Sequence, residues 1–448
     1  MNNQINRLLF FPAILLILIN DGIYGQNALV KKNKPVTDSL SLKNIIEKVV
    51  SSHPLVKNAS EALNNADARI GLAKAGYYPE ADLTANFSNL WPVTKLTIPD
   101  LGTFQLFPEN NYSASINYKQ LIYDFGRTKQ NIALENENKA IGEQTLEQVK
   151  QRLSLMTVNN FYALVYIQAA IKIKEEQLVA LDEHLNYVEK MRTTGSATEY
   201  QVLATKVKIS TVESQKVDLN AALTTQQATL NSLLGNDQTI NPVVKTELSV
   251  EVPLIPTDSM ISISYAYPKR DEVILNQKRT TLAELRYELI KSQNKPVLNL
   301  LASAGVKNGY IPELNELTPN YVIGLGIRIP LFDGMKTRYN LLQAKSAITS
   351  LSYESEYTKR NISNELYEAE AYMFAAEQKV TQFGLQLEQA LKAYSLAETS
   401  FKAGTITNLD LLDANTSVSE SRLMLLKARI DFTVSVYKLK AALGERIY

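Results

Sequence analysis

The side chains that most often carry enzyme chemistry are scarce in this 448-residue sequence, which has no cysteine and two histidines, His53 and His184. Without cysteine there is no thiolate nucleophile, disulfide or cysteine-rich zinc site, and two imidazoles provide little for a histidine zinc site. Gly324-Leu-Gly326 lacks the third glycine and the following helix of a nucleotide-binding loop, and the sequence has no P-loop, HExxH or GxSxG motif. We therefore predict no catalytic, metal or cofactor site.

The remaining polar residues also argue against an enzyme and against a nucleic-acid partner. His184 falls on a long polar helix face and is expected to be an ordinary surface residue, whereas His53 precedes a proline and is expected in a turn. Asp and Glu residues are scattered along predicted helices, as on solvated helix faces. Lys and Arg total 47 and Asp and Glu total 46, so the net charge of +1 lacks the basic surplus that phosphate binding needs.

Residues 1–25 have the pattern of a cleaved signal peptide. The basic Arg7 precedes an apolar run over residues 8–19, which has signal-peptide length and is too short to span a bilayer. Small residues place the cleavage after Gly25, and an uncleaved membrane anchor is the alternative. No later segment has the roughly 18 uncharged apolar residues of a membrane helix. The exported chain is thus expected to be soluble or to span a membrane as strands.

The rest of the sequence contains an internal duplication. Matching motifs occur in the same order at a nearly constant offset: Gly126 corresponds to Gly334, and Gly195 corresponds to Gly404. We predict a first repeat over residues 39–235 and a second over 258–444. The segment between them, 236–257, contains three prolines and is predicted to be a linker.

Each repeat has the same predicted order of elements: a helix, two short strands, a very long helix, a glycine turn and a last helix. The low content of Gly (17) and Pro (15) is consistent with long helices. The predicted helices cover residues 40–75, 127–193 and 198–234 in the first repeat and 271–293, 335–403 and 407–443 in the second. The predicted strands cover residues 80–91, 111–122, 297–308 and 320–331.

A heptad pattern in the long helices predicts close packing against another helix. Apolar residues over 362–401 are spaced alternately by four and three, and residues 164–188 follow the same rule with Lys174 as the one polar exception. Gly195 and Gly404 suit left-handed helix caps, and a capping-box pattern follows each of them. Each long helix is therefore expected to form a tight hairpin with the last helix of its repeat.

Apolar and polar residues alternate along the four predicted strands, which is the weak signature of membrane-spanning β-strands. Two half-buried hairpins on a soluble sheet would also alternate, but the occurrence of four such segments at matching points of a duplicated chain favours a barrel. Aromatic residues flank the strands, as in the interfacial belts of membrane proteins. They are Tyr77, Tyr78, Trp91, Tyr112, Tyr123, Phe125, Tyr310, Tyr321 and Phe332.

Four strands are too few to close a membrane barrel, because single-chain bacterial barrels begin at about eight. An open sheet edge in lipid would leave backbone N–H and C=O groups unpaired. Several copies are therefore expected to combine their strands. Two copies would give eight strands and a filled interior, whereas three would give twelve strands and a lumen, which the polar inner faces favour.

The sequence resembles the outer membrane efflux protein family, the TolC-like channel proteins, over essentially the whole exported chain. The resemblance rests on the duplicated plan and on a series of short motifs. They are His53-Pro54, Tyr78-Pro79, Tyr123-Asp-Phe-Gly126, Leu331-Phe-Asp-Gly334, Phe401-Lys-Ala-Gly-Thr405 and Leu409-Asp-Leu-Leu-Asp413. The resemblance implies a mainly α fold with a membrane β-barrel part: a trimer with a twelve-stranded outer-membrane barrel, continued by a helical tunnel through the periplasm.

The same resemblance implies a passive exit channel of a tripartite pump. A periplasmic adaptor protein would connect it to a proton-driven or ATP-driven inner-membrane transporter. Segment 236–257 and the termini would form an equatorial belt around the tunnel, and the loops over 92–109 and 310–319 would face outside the cell. The alternative is a periplasmic coiled-coil scaffold protein that has no pore.

The resemblance also implies a gate at the periplasmic end of the tunnel. The family's aspartate rings fall six and nine residues after the tip glycine of the second repeat, at Asp410 and Asp413. Asp410 also fits the capping box, so helix capping is the alternative role. Two positions differ from the family, whose tip arginine is Ile406 here and whose first-repeat tip aspartate is Gln201.

The two tip turns correspond to the region where the family meets its adaptor protein. By resemblance, the contact residues would be Arg192, Gly195, Phe401, Lys402, Gly404 and Thr405. The small and polar residues of these turns suit close helical packing.

Overall fold

The computed structural model describes residues 41–100, 102–238, 240–245 and 259–448, of which 259–262 are described by their backbone. The helices are α1 (Leu42–Ser52), α2 (Pro54–Ala75), α3 (Arg127–Thr193), α4 (Glu199–Leu234), α5 (Ser259–Ala266), α6 (Asp271–Ser292), α7 (Lys336–Lys402) and α8 (Asn408–Ala442). The strands are β1 (Glu80–Asn89), β2 (Lys95–Ile98), β3 (Gly102–Gln105), β4 (Asn110–Tyr123), β5 (Val297–Lys307) and β6 (Thr318–Arg328). The predicted signal peptide and most of the predicted linker lie outside these residues.

The predicted single helix over 40–75 is wrong, because His53 separates α1 from α2. The backbone of His53 is extended, and its imidazole Nδ1 accepts a hydrogen bond from the amide of Leu55 at 3.2 Å. Pro54 then begins α2. Proline is well tolerated there, because the first N–H groups of a helix have no intrahelical acceptor. The expected turn role of His53 is thus confirmed. The small hairpin β2–β3 and the helix α5 were not predicted.

Strands β1, β4, β5 and β6 form one antiparallel sheet in that order, so β1 and β6 are its edges. The register places Leu83 opposite Ile116, Ile116 opposite Ala304, and Ala304 opposite Tyr321. Residues that face each other across an antiparallel pair point to the same side of the sheet. The alternating apolar residues of all four strands therefore share one face, whereas Leu301 and Val322 lie on the other.

The other face of the sheet is polar and is crossed by side-chain hydrogen bonds. The amide Nδ2 of Asn117 donates to Asp82 Oδ2 at 2.9 Å and to Thr84 Oγ1 at 3.0 Å, joining β4 to β1. The hydroxyl of Ser303 on β5 donates to Asn117 Oδ1 at 3.0 Å. Gly305 on β5 allows β4 and β5 to approach closely, since a Cβ at this position would lie 2.1 Å from the carbonyl oxygen of Ala114.

Aspartates initiate both long helices directly after the sheet. The carboxylate of Asp124 accepts hydrogen bonds from the amide of Gly126 at 3.0 Å and from the amide and hydroxyl of Thr128 at 2.7 and 2.6 Å. In the second repeat, Asp333 Oδ2 accepts from the amide of Thr337 at 2.8 Å. The first N–H groups of a helix lack intrahelical partners, so these carboxylates stabilise the strand-to-helix junctions.

The helices α3 and α7 each contain 67 residues and are therefore about 100 Å long at 1.5 Å per residue. Helix α3 packs against α4, and α7 packs against α8, while α3 also contacts α2, α6 and α8. The heptad positions over 362–401 are buried or half-buried throughout, which confirms that they form the packed face of α7. No described helix has the length and apolar character of a membrane span.

Lys174, the polar exception in the α3 heptad, is nevertheless buried, with 6% of its surface exposed. Its ammonium donates to Gln177 Oε1 at 3.1 Å and to the hydroxyl of Ser419 on α8 at 3.3 Å. Burial lowers the pKa of Lys174, only partly opposed by the charge of Glu420. The heptad seam thus includes one polar crossing between α3 and α8.

Removing the Asp124 carboxylate should destabilise the start of α3. Asp124→Ala is expected to cost about 1–2 kcal/mol, because the substitution leaves the amides of Gly126 and Thr128 without their acceptor. The thermal midpoint of the helical circular-dichroism signal should fall by several degrees in the detergent-solubilised protein. Asp182→Ala, on an exposed part of α3, is the control and should leave the midpoint unchanged. Equal midpoints for the two variants would contradict the capping role.

Candidate functional site

The candidate functional site lies at the end of the helical hairpins, which we call the tip: the ends of α3 and α7, the two glycine turns and the first turns of α4 and α8. Gly195 and Gly404 have φ angles of 76° and 74°, in the left-handed region that glycine adopts without strain. Both predicted turns are confirmed, and each reverses the chain directly after a long helix.

Both helices that leave the turns begin with a capping box. In the first repeat, the amide of Thr198 donates to Gln201 Oε1 at 2.9 Å, and the amide of Gln201 donates to Thr198 Oγ1 at 3.3 Å. In the second, Asp410 Oδ2 accepts from the amide and hydroxyl of Thr407 at 2.8 and 2.6 Å. Gln201 and Asp410 thus occupy equivalent positions, one neutral and one acidic.

Of these two equivalent positions, only the one on the second hairpin carries a charge. Asp410 is exposed, and hydrogen bonds from Thr407 lower the pKa of its carboxyl below the usual value, which keeps it ionised at neutral pH. Asp413 follows on the next turn of α8 and is also exposed. The corresponding residues after Gly195 are Gln201 and Ala204, which carry no charge.

An apolar cluster joins the two hairpins behind the turns. It contains one buried residue from each of four helices: Val188 (α3), Val202 (α4), Phe401 (α7) and Leu411 (α8). Ile406, the residue at the family's tip-arginine position, packs against this cluster. Ile406 therefore makes an apolar contact at the position where the resemblance predicts the charged side chain of an arginine.

Phe401, which the resemblance placed among the adaptor-contact residues, is buried. Its side chain is 6% exposed, and its ring lies 5.2 Å from the ring of His184 in an edge-on arrangement. It packs between the hairpins instead of facing outward. The other predicted contact residues, Arg192, Gly195, Lys402, Gly404 and Thr405, are exposed.

The expectation that His184 is an ordinary surface residue is wrong. Its ring is half-buried, and Nε2 lies 2.6 Å from Asn408 Oδ1, on the first residue of α8. Burial lowers the pKa of His184, although the hydrogen bond with Asn408 and the charge of Glu398 act in the opposite direction. The long-range partner could not be deduced from the local sequence, because it lies 224 residues away.

Ion pairs within each hairpin cover the outside of the tip. Arg192 pairs with Glu199 across the first turn, Lys206 pairs with Glu189 at 3.0 Å, and Lys402 pairs with Glu398 at 2.7 Å. All are solvent-exposed, so each contributes little to stability. They leave a charged and polar outer surface around the buried cluster.

The nine predicted belt aromatics all lie exposed near the ends of the four-stranded sheet. Those at the helix end are Tyr77, Tyr78, Tyr123, Phe125 and Phe332, and those at the loop end are Trp91, Tyr112, Tyr310 and Tyr321. Tyr123 and Phe125 form an edge-on pair at 4.7 Å, and Tyr112 lies 5.1 Å from Phe87. The exposed apolar face therefore has aromatic residues at both of its ends.

A cavity of about 520 Å³ lies beside α3, α6 and α8, far along the chain from the tip turns. Four of its charged groups form ion pairs: Arg270 pairs with Glu365 at 2.6 Å, and Arg446 pairs with Asp271 at 2.7 Å. These pairs connect the start of α6 with α7 and with the chain after α8, an arrangement typical of structural ion pairs.

Truncating Phe401 should loosen the tip. Phe401→Ala is expected to cost about 3 kcal/mol through the cavity it leaves among four helices. Limited trypsin digestion should then cleave faster after Arg192 and Lys402, the basic residues of the two turns. Cleavage after Lys95 in the β2–β3 hairpin is the internal reference and should not change. Unaltered cleavage at the turns would show that the cluster does not hold the hairpins together.

Comparison with known proteins agrees with this architecture. The family model described as outer membrane efflux protein matches residues 45–236 and 277–445. The chain is 20% identical to the alkaline protease secretion protein AprF of Pseudomonas aeruginosa, over 83% of this chain and 78% of that protein. It is 19% identical to the outer membrane efflux protein BepC of Brucella suis, over 96% of this chain and 89% of that protein.

Solved structures share the fold. A crystal structure of CusC superposes with a TM-score of 0.76 at 19% identity and covers 90% of this chain and 92% of its own. The outer membrane protein VceC of Vibrio cholerae superposes with a TM-score of 0.74 at 19% identity, over 91% of this chain and 97% of its own. These likenesses cover both helical hairpins and the sheet in one fold.

Proposed function

Because this chain belongs to the outer membrane efflux protein family, we propose that it forms a passive exit channel in the outer membrane, the duct of a tripartite export system. The observation that carries the proposal is the sheet: one face is apolar and exposed, the other is polar, and each edge strand has one side that no described residue pairs. Such a sheet suits a barrel wall between lipid and water.

The edge strands support assembly of several copies. Since β1, β4, β5 and β6 alternate in direction, β6 runs antiparallel to β1, and the β6 of one copy can pair with the β1 of the next without breaking the alternation. Closure leaves no unpaired backbone groups in lipid. Three copies give twelve strands, enough for a water-filled lumen lined by the polar face.

The helices support the same assembly below the barrel. Helix α3 packs against α8 within one chain, so α4 and α7 lie on the outer sides of the four-helix unit. Leu203 and Val207 on α4, and Leu385 and Leu396 on α7, are more than half exposed. We propose that α4 of one copy packs against α7 of the next, which extends the barrel as a helical tunnel through the periplasm.

Two aspartates of the second hairpin support a charged gate. With three copies around one axis, Asp410 and Asp413 would contribute six carboxylates at the narrow end of the tunnel. A ring of carboxylates favours cations and is blocked by multivalent ones. Asp410 caps its helix through one carboxylate oxygen, Oδ2, so capping and a role in the ring are compatible.

Energy for transport would come from other proteins. We propose that an inner-membrane transporter, proton-driven or ATP-driven, supplies it and that a periplasmic adaptor protein docks at the exposed turn residues, namely Arg192, Gly195, Lys402, Gly404 and Thr405. Opening would then require the hairpins to shift against one another by hinge and shear motion. The chain itself would contribute no catalytic step, and export would begin with the signal peptide.

The alternative, a periplasmic scaffold without a pore, makes opposite predictions. A scaffold would fractionate as a soluble protein and would not conduct in planar bilayers. The channel should fractionate with the outer membrane, migrate as a heat-modifiable trimer in detergent and conduct ions. A soluble monomer without conductance would overturn the channel.

Neutralising the carboxylates of the second hairpin should reduce cation selectivity. We expect Asp410→Asn with Asp413→Asn to move the reversal potential in a KCl gradient toward zero and to weaken block by multivalent cations. Asp182→Asn with Glu183→Gln, which removes the same charge from an exposed stretch of α3, should change neither. Unchanged selectivity in the first variant would exclude both aspartates from the gate.

A further inference from the structure

At the tip, a buried polar contact joins the two hairpins. The role proposed for it is separate from the acidic gate and rests on the channel proposed above. We propose that Asn408 is a positioning residue that locks the α7–α8 hairpin against the α3–α4 hairpin and so keeps the tip narrow. Its partners are His184 on α3 and Gln201 and Thr205 on α4. We call these four residues the interhairpin lock.

The hydrogen bonds of the lock fix the orientation of the Asn408 amide. Nδ2 donates to the carbonyl oxygen of Gln201 at 3.2 Å and to Thr205 Oγ1 at 3.3 Å. The Thr205 hydroxyl donates in turn to the Gln201 carbonyl at 2.9 Å, so Thr205 Oγ1 is free to accept. With both amide hydrogens in use, Asn408 Oδ1 must be the acceptor, and His184 Nε2 must carry the hydrogen.

The lock is buried, which makes its hydrogen bonds costly to lose. Asn408 is 3% exposed, and Thr205 is fully buried. A buried polar group without its partner loses both the bond and its hydration. The amide of Asn408 therefore favours the one arrangement of the two hairpins in which all its partners are in place.

The position of Asn408 connects the lock to the gate. Asn408 is the first residue of α8, and Asp410 and Asp413 lie within the next two turns of the same helix. The three bonds of its side chain all go to the other hairpin. A movement of α8 and its aspartates relative to the α3–α4 hairpin must therefore break the lock. A movement of both hairpins together leaves it intact.

The lock differs from contacts within one hairpin. Gln386 on α7 donates to the hydroxyl of Ser421 on α8 at 3.3 Å, and both residues move together if the α7–α8 hairpin shifts as a unit. Breaking this bond is expected to leave the tip position unchanged. Gln386→Leu is therefore a matched control for Asn408→Leu, since both substitutions replace a side-chain amide with an isobutyl group.

The experiment compares single channels of the full-length protein in planar bilayers. Asn408→Leu should raise the ratio of high-conductance to low-conductance time roughly tenfold, the change expected for one or two lost hydrogen bonds. His184→Phe should have a similar effect, because it keeps the ring against Phe401 and removes the donor. His184→Gln retains a donor near the Nε2 position and should restore the wild-type ratio, which a loss of packing alone would not do.

The double variant His184→Phe with Asn408→Leu should resemble the single variants, since residues of one network are not additive. Wild-type behaviour of Asn408→Leu, or an effect of Gln386→Leu of equal size, would overturn the lock while leaving the channel intact. If Asn408→Leu does not assemble, the comparison of His184→Phe with His184→Gln tests the lock. Equal ratios of high-conductance to low-conductance time in these two variants would then overturn it. Absence of any conductance in the wild-type protein would overturn the proposed channel.

Discussion

The unpaired backbone of the two edge strands is the constraint on which the rest of this structure depends. A sheet with one apolar face can lie against lipid only if each edge finds a partner, because unpaired N–H and C=O groups in lipid cost several kcal/mol each. Within the described residues, β1 pairs only with β4 and β6 only with β5, so each has one unpaired side. In the proposed assembly, a neighbouring copy would provide that partner in antiparallel order, and the polar face would then line a shared interior.

The helices follow from this arrangement. Asp124 and Asp333 begin the long helices directly below the sheet, so each strand pair continues as a rod instead of folding back into a compact core. The buried side chains accordingly form several clusters along the helix pairs. The cluster around Phe401 joins the two hairpins at the tip. The buried amide of Asn408 and the exposed carboxylate of Asp410 lie at this same end of the helices.

Periodic features of the sequence predicted most of this fold. The heptads and the alternating strands each depend on regular spacing, and the capping boxes depend on local residues, so they were visible without tertiary information. The break at His53 was missed because the helical pattern continues on both sides of it, although Pro54 was the available signal. The burial of Lys174 and the contact of His184 with Asn408 were not predictable, since each depends on residues more than 200 positions away.

Cross-linking between edge strands tests the shared barrel most directly, and the lack of native cysteine gives it a clean background. Asn86 on β1 and Gly324 on β6 lie on the polar face, and the register places Asn86 level with Thr318, so Gly324 is displaced along β6 as well as across the sheet. Within one chain the two residues are therefore at least three strand spacings, or at least about 14 Å, apart. In a double-cysteine variant, a thiol reagent that spans about half that distance should therefore join only different copies. A shared barrel of three copies predicts covalent dimers and trimers in outer membranes, with the series ending at three. Monomers alone, or a series that continues past three, would contradict it.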